Sequence, residues 1–188
     1  LAPIFQGIMT TISTNLQAVR ARITAAAQLA GRAVEDIRLL AVSKTFPPER
    51  IREAALAGQI AFGENYLQES LGKIAALADL GLEWHFIGPL QSNKTRPVAE
   101  HFSWVHGIER LKIAERLSAA RGAARPPLQV CIQVNVSGEA SKSGVSPGDT
   151  AINDSRERLA EEGELAGLPR APLMPFDATA RLDAAIPF

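Results

Sequence analysis

The chain has 188 residues, 46% of them hydrophobic, with 20 Lys+Arg balanced by 20 Asp+Glu to a formal net charge of zero. That length and apolar content suit one globular domain with a real core. The charge balance, the lack of a basic run and the lack of any apolar stretch near ~20 residues give no support for nucleic-acid binding or a membrane span.

Residues 1–8 read as a tag remnant, because Phe5-Gln6-Gly7 resembles a cleavage scar and Met9 is a natural start. The same stretch lacks the basic flank and long apolar region of a signal peptide. The domain is therefore set at 9–188. From Ile12, the positions Ile12, Leu16, Val19, Ile23 and Ala26 step by four, three, four and three, one stripe of an amphipathic helix that Gly31 ends.

Leu39-Leu40-Ala41-Val42 then runs into Ser43-Lys44-Thr45 and Pro47-Pro48. A short unbroken apolar run predicts a strand buried on both faces, as in a parallel sheet. The prolines stop it and prepare a helix start. Lys44 is thus expected where a central strand leaves the core, at the carboxyl edge where α/β folds gather ligands. An amine held partly in an apolar wall loses its proton more readily, and a neutral amine can attack an aldehyde. By itself, a lysine at a strand end is most often only a solvated group.

Ile51, Ala54 and Ala55 mark a short helix closed by Gly58, and Ile60-Ala61-Phe62 a brief strand ending in Gly63-Glu64-Asn65-Tyr66. Leu67, Leu71, Ile74 and Ala78 give a further helical stripe. Trp84-His85-Phe86-Ile87 is a strand, followed by Gly88 to Lys94 and a helix to about Glu100. Ser103 to His106 is another strand, Ile108 to Ala120 another helix, and Leu128 to Val136 the clearest strand of the chain. Alternation of this kind predicts a parallel sheet wound with helices. The strands end in small or polar residues, as around a (β/α) barrel, although a doubly wound open sheet predicts the same pattern for fewer strands.

Past Pro147, Thr150 to Gly167 is polar and helical in tone, and Leu173-Met174-Pro175-Phe176 is one more candidate strand. A full barrel needs at least ~200 residues. The barrel is therefore expected to be incomplete at its C-terminal end.

Other candidates are weaker. Gly138 to Gly144 contains Ser-Lys-Ser-Gly but no glycine placed as a P-loop requires, so Lys142 reads as a loop lysine near the mouth. His85, His101 and His106 share no ligand spacing and Cys131 has no partner cysteine, so no metal site is expected. The lone Cys131 also excludes an internal disulfide and fits a reducing, cytoplasmic setting. His85, between Trp84 and Phe86, reads equally well as a satisfied core histidine. Gln91-Ser92-Asn93, and likewise Asn65, could be helix caps without any ligand.

Ala41-Val42-Ser43-Lys44-Thr45 resembles the pyridoxal phosphate homeostasis family, whose members are similar to the N-terminal barrel domain of alanine racemase. Further stretches carry the likeness in the same order: Phe62-Gly63-Glu64-Asn65-Tyr66 with Gln68-Glu69, Trp84-His85-Phe86-Ile87-Gly88 with Leu90 to Lys94, Gln133-Val134-Asn135, and Ser141-Lys142-Ser143-Gly144. The resemblance covers residues 9 to 147. It implies a (β/α)8 TIM-type barrel of the alanine racemase N-terminal-domain type, holding pyridoxal 5'-phosphate (PLP) as an aldimine on Lys44. It also implies Asn65, His85 and Asn135 around the ring, with Lys142 near the mouth. The family's late Ser/Gly-rich phosphate loop and its closing Arg-Ile-Gly strand have no counterpart here, so the phosphate ligands are unassigned.

Two roles follow from the likeness. A racemase of the alanine racemase type needs acids and bases on both faces of the adduct, and the chain's only tyrosine is Tyr66, with no second domain read after the barrel. A non-catalytic carrier, with no catalytic residue, suits an open, solvent-facing adduct loaded and released reversibly. On this reading the protein is a monomer serving PLP homeostasis, with PLP-dependent apoenzymes as recipients. The racemase remains the alternative.

Overall fold

Five parallel strands run side by side in the order in which the chain makes them. The computed structural model describes residues 11–146. The expected tag remnant, the polar helix from Thr150 and the strand at Leu173 to Phe176 lie outside the described residues. In chain order the elements are α1 (Thr11–Leu29), β1 (Ala41–Val42), α2 (Pro48–Leu56), β2 (Ala61–Glu64), α3 (Leu67–Ala76), β3 (Glu83–Phe86), α4 (Thr95–His101), β4 (Trp104–Ile108), α5 (Leu111–Arg121) and β5 (Gln129–Ile132). Short 3-10 turns at Val34–Asp36, Ala78–Leu80 and Ser92–Lys94 link them.

The helix stops are where the glycines predict them. At the end of α1 Gly31 takes φ 63°, its N–H reaches Gln28 O and that of Arg32 reaches Ala27 O. Gly58 closes α2 in the same way, through Ala55 O and, from the next N–H, Ala54 O. Both are Schellman caps, which need a left-handed residue that glycine adopts without a Cβ clash. Pro48 opens α2 from an extended Pro47, where its missing N–H is no loss.

Strand order decides between the two sheet types. A doubly wound sheet reverses its order at a switch point, whereas here every crossover adds the next strand on the same side. With right-handed crossovers, that puts all the helices on one face, as along the wall of a barrel. The core lies between helices and that outer face. Phe62, Trp84, Phe86 and Val105 project from the strands against Ile51, Val98, Phe102 and Leu117 of the helices and their ends. Phe86 meets Phe102 edge-on at 5.3 Å between centroids, and Phe62 lies 5.9 Å from Trp84.

Some expectations are corrected. β1 is only two residues long and is not buried on both faces, since Val42 is 39% exposed. Among the described strands β1 is an edge, and the side of the sheet away from the helices is open there. Ile108 belongs to β4, not to the helix, which starts at Leu111. β5 stops at Ile132, and beyond it, among the described residues, only Val134 pairs, with Val145.

Candidate functional site

Because side chains alternate along a strand, the register fixes which residues share the inner face. Val42 pairs with Gly63, Gly63 with His85, His85 with Trp104 and Trp104 with Gln129, one row across the sheet. The ladder continues through Ser43 N–H to Gly63 O and Ile87 N–H to Glu64 O, each 2.9 Å. Two residues further toward the carboxyl edge, the next row is therefore Lys44, Asn65, Ile87 and His106, past which the register between β4 and β5 shifts. Gly88, just past β3, sits so close to the end of β2 that a Cβ there would be 2.4 Å from Asn65 O.

Lys44 stands in a tight turn. Phe46 N–H donates to Ser43 O at 3.1 Å, closing a four-residue turn with Lys44 and Thr45 at its centre. Thr45 has φ 66°, the only positive φ outside glycine among the described residues. A negative φ at the first central residue and a positive one at the second is the type II pattern, which normally takes Gly or Asn at the second. For a β-branched residue this is strained, at a cost of about 1–3 kcal/mol. Lys44 is exposed and has no ion pair or hydrogen-bond partner among the described residues. The amine thus stands in solvent and not, as expected, in an apolar wall.

Beneath the turn lies a buried polar cluster. Lys73 of α3, 4% exposed, donates from Nζ to Ser43 O (2.7 Å), to Glu64 Oε1 and Oε2 (2.9 and 3.1 Å) and to Glu69 Oε1. Glu64 is fully buried and also accepts from Ser43 Oγ at 2.6 Å. Glu69 accepts from Thr45 N–H at 2.7 Å. The Lys73 ammonium, first through its hydrogen bond, holds the Glu69 carboxyl below the ordinary glutamate range; partial burial opposes this and the Thr45 N–H supports it. Asn65 presents the opposite case. Its Oδ1 is buried with no hydrogen-bond partner, and Tyr66, not Asn65, is the N-cap of α3, with no side-chain cap bond. The capping reading of Asn65 is therefore wrong. Gln91 does stand at the N-cap of the turn Ser92–Lys94, in extended backbone, but without a side-chain cap bond.

His85 lies one row below Lys44 and has both ring nitrogens engaged. Nε2 is 2.6 Å from Glu83 Oε1, Nδ1 is 2.9 Å from His106 Nε2, and the ring stacks on Trp104 at 5.4 Å. Arg38 closes the far end at 2.8 Å from Glu83. Burial pushes both histidines below the ordinary imidazole range; for His85, the Glu83 carboxylate pulls back the other way. With His85 neutral and donating to Glu83 from Nε2, its Nδ1 must accept, so His106 Nε2–H is the donor. His106, not His85, shares the row of Lys44.

Asn135 and Lys142 belong to the loop after β5. Asn135 Nδ2 donates to Glu139 O (2.9 Å) and Lys142 O (3.1 Å), and Gly144 N–H to Glu109 Oε2 (3.1 Å), pinning the loop to itself and to the end of β4. Lys142 is exposed, its Nζ 3.0 Å from Glu139 Oε1. A cavity of about 380 Å³ lined by Arg20, Val34, Leu39 and Ile60 lies at the opposite, amino end of the strands, away from Lys44.

The register therefore brings Lys44 and Asn65 together, sets His85 a layer beneath, and places Asn135 and Lys142 on a loop beyond β5. Lys73 and His106 carried no role in the sequence reading. The Glu69–Lys73 spacing of i, i+4 was a signal for an ion pair, but a surface pair reads identically. An exposed lysine without a partner at the carboxyl end of a strand fits a ligand that offers a carbonyl carbon, as PLP does, and the unsatisfied Asn65 Oδ1 next in the row is buried and closed to solvent.

The sequence model of the family "Alanine racemase, N-terminal domain" matches residues 14–183. A "Pyridoxal phosphate homeostasis protein" of Pseudomonas aeruginosa is 66% identical over 141 residues, 75% of this chain and 61% of that protein. The protein of that name in Escherichia coli K12 is 59% identical over 140 residues, 73% and 60% of the two. PipY of Synechococcus elongatus, solved without PLP, aligns with TM-score 0.60 at 39% identity over 76% of this chain and 65% of its own. Solved with PLP bound, it gives 0.56 at 37% over 78% and 65%. The chain thus spans about 61% of the curated relatives' length. Among the described residues no helix is long and apolar enough to cross a membrane.

Proposed function

Since the chain belongs to the alanine racemase N-terminal domain family, we propose that it holds pyridoxal 5'-phosphate without turning substrate over, with Lys44 as the covalent anchor. The observation that carries this reading is the contrast between two neighbouring lysines. Lys73 is buried and fully paired, while Lys44 is exposed and unpaired. The cofactor supplies an aldehyde that a lysine amine takes up with loss of one water and returns by hydrolysis. PipY, at 37% identity, has been solved with PLP bound, and the relatives' name points to PLP homeostasis.

In this reading Asn65, next in the row to the anchor, lines the ring, and His85 backs His106 in the floor. Asn135 shapes the loop that carries Lys142 to the rim. Racemisation requires free acid–base groups on both faces. The charged groups beneath the Lys44 turn, Glu64, Glu69 and Lys73, are instead committed to one another. The same reading makes the protein a cytoplasmic monomer that delivers PLP to apoenzymes.

The test adds PLP to the 188-residue chain, records the visible band of the lysine adduct, reduces with borohydride and maps the labelled peptide. Label is expected on Lys44, and Lys44→Ala is expected to abolish the band with an unchanged melting temperature, because the side chain is exposed. Label on another lysine, or none, overturns the site. Racemisation at ordinary enzymatic rates in a chiral assay overturns the non-catalytic role.

A further inference from the structure

We infer that Glu69, held by the buried Lys73, is a positioning residue that sets the peptide plane between Lys44 and Thr45 and thereby aims the Lys44 amine. This inference rests on Lys44 being the anchor. Type I and type II turns differ by a flip of their central peptide, which reverses the direction of the N–H at the second central residue. Here that N–H is Thr45's, and it donates to Glu69 Oε1 at 2.7 Å. On the other side of Lys44, Ser43 is fixed twice, its carbonyl accepting from Lys73 Nζ at 2.7 Å and its hydroxyl donating to Glu64 at 2.6 Å. The backbone on both sides of Lys44 is clamped while its own amine is left without a partner.

The strain at Thr45 is the independent observation. A threonine at φ 66° resists the type II form. Something must hold it there, and the charge-assisted hydrogen bond from its N–H to Glu69 can do so. Glu69 in turn is oriented by Lys73 one helical turn along α3. Without the Glu69 acceptor the peptide is free to flip toward type I, relieving Thr45 and moving Lys44 out of line with Asn65.

The experiment measures PLP affinity from the visible band, with borohydride trapping and melting curves, for the wild type, Glu69→Ala, Glu69→Gln and Glu69→Ala/Thr45→Gly. Glu69→Ala is expected to weaken binding about 10-fold, equivalent to about 1.4 kcal/mol. Glu69→Gln, which keeps an acceptor oxygen, is expected to retain most of the affinity. Thr45→Gly in the Glu69→Ala background is expected to restore it, because glycine favours type II without help. A merely structural Glu69 would lower the melting temperature and would not be rescued by glycine at another site. Unchanged affinity in Glu69→Ala, or a loss that Thr45→Gly leaves in place, overturns the inference while the Lys44 label stands. Absence of that label in the wild type overturns the anchor itself and this role with it.

Discussion

Lys73→Met tests the energetics under the site. Methionine keeps the length and apolar stem of lysine but removes the ammonium, which serves Ser43 O, both oxygens of Glu64 and Glu69. Glu64 is 0% exposed, so the variant leaves a buried carboxylate with Ser43 Oγ as its remaining side-chain partner. One-sided removal of a buried pair costs about 3–5 kcal/mol. That is a large part of a typical stability of about 5–15 kcal/mol. With a urea slope of roughly 2 kcal/mol/M, the unfolding midpoint should fall by about 1.5–2.5 M. The titration is run without added PLP, whose binding would mask the loss by mass action. Adding Glu64→Leu removes both charges together and should recover most of the loss, short of about 1 kcal/mol for the hydroxyl of Ser43. A midpoint shift below about 0.5 M for Lys73→Met, or a double variant no better than the sum of the singles, would refute the buried-pair argument.

Gly88→Ala should lower the melting temperature by several degrees and weaken PLP loading. Its Cβ would lie 2.4 Å from Asn65 O and 2.9 Å from Asn65 Cα, backbone atoms that cannot swing aside; an unchanged melting curve would contradict the geometry. Stability should also fall with pH through the ordinary histidine range near ~6.5. His85 and His106 have lowered folded-state values, so the unfolded chain takes up protons first, and stability is lost between the ordinary value and the lowered ones. His106→Gln keeps a donor for His85 Nδ1 and removes one titrating group, so its urea midpoint should vary less steeply between about pH 7.5 and 5. Equal slopes in the two proteins would show that His106 contributes nothing to the pH dependence.

The elements were legible where local chemistry decides them. Gly31 and Gly58 stop helices because their caps need a left-handed residue, and Pro48 opens one because its φ suits the first turn. Those requirements act over a few residues and are visible in any short window. Ends set by partners were less legible. Leu39-Leu40-Ala41-Val42 looked like a fully buried central strand, yet β1 keeps only two residues in the ladder and Val42 is open on one side. How much of an apolar run becomes strand depends on what neighbours it.

The sequence by itself determined the strand–helix alternation and the polar strand ends, because periodicity and caps are local patterns; Lys44 was singled out through the family resemblance, since a lysine at a strand end is by itself most often only solvated. Strand order, and with it the barrel-like placement of all helices on one face, came only from the pairing of β1 through β5. So did the buried Lys73, the place of His106 in the row of Lys44 with His85 a layer beneath, and the unsatisfied Asn65 Oδ1. Each of these depends on which atoms segments far apart in the chain bring within about 3 Å of one another. A buried charge and a solvated one, or a satisfied amide and an orphaned one, are the same letters until the chain has folded.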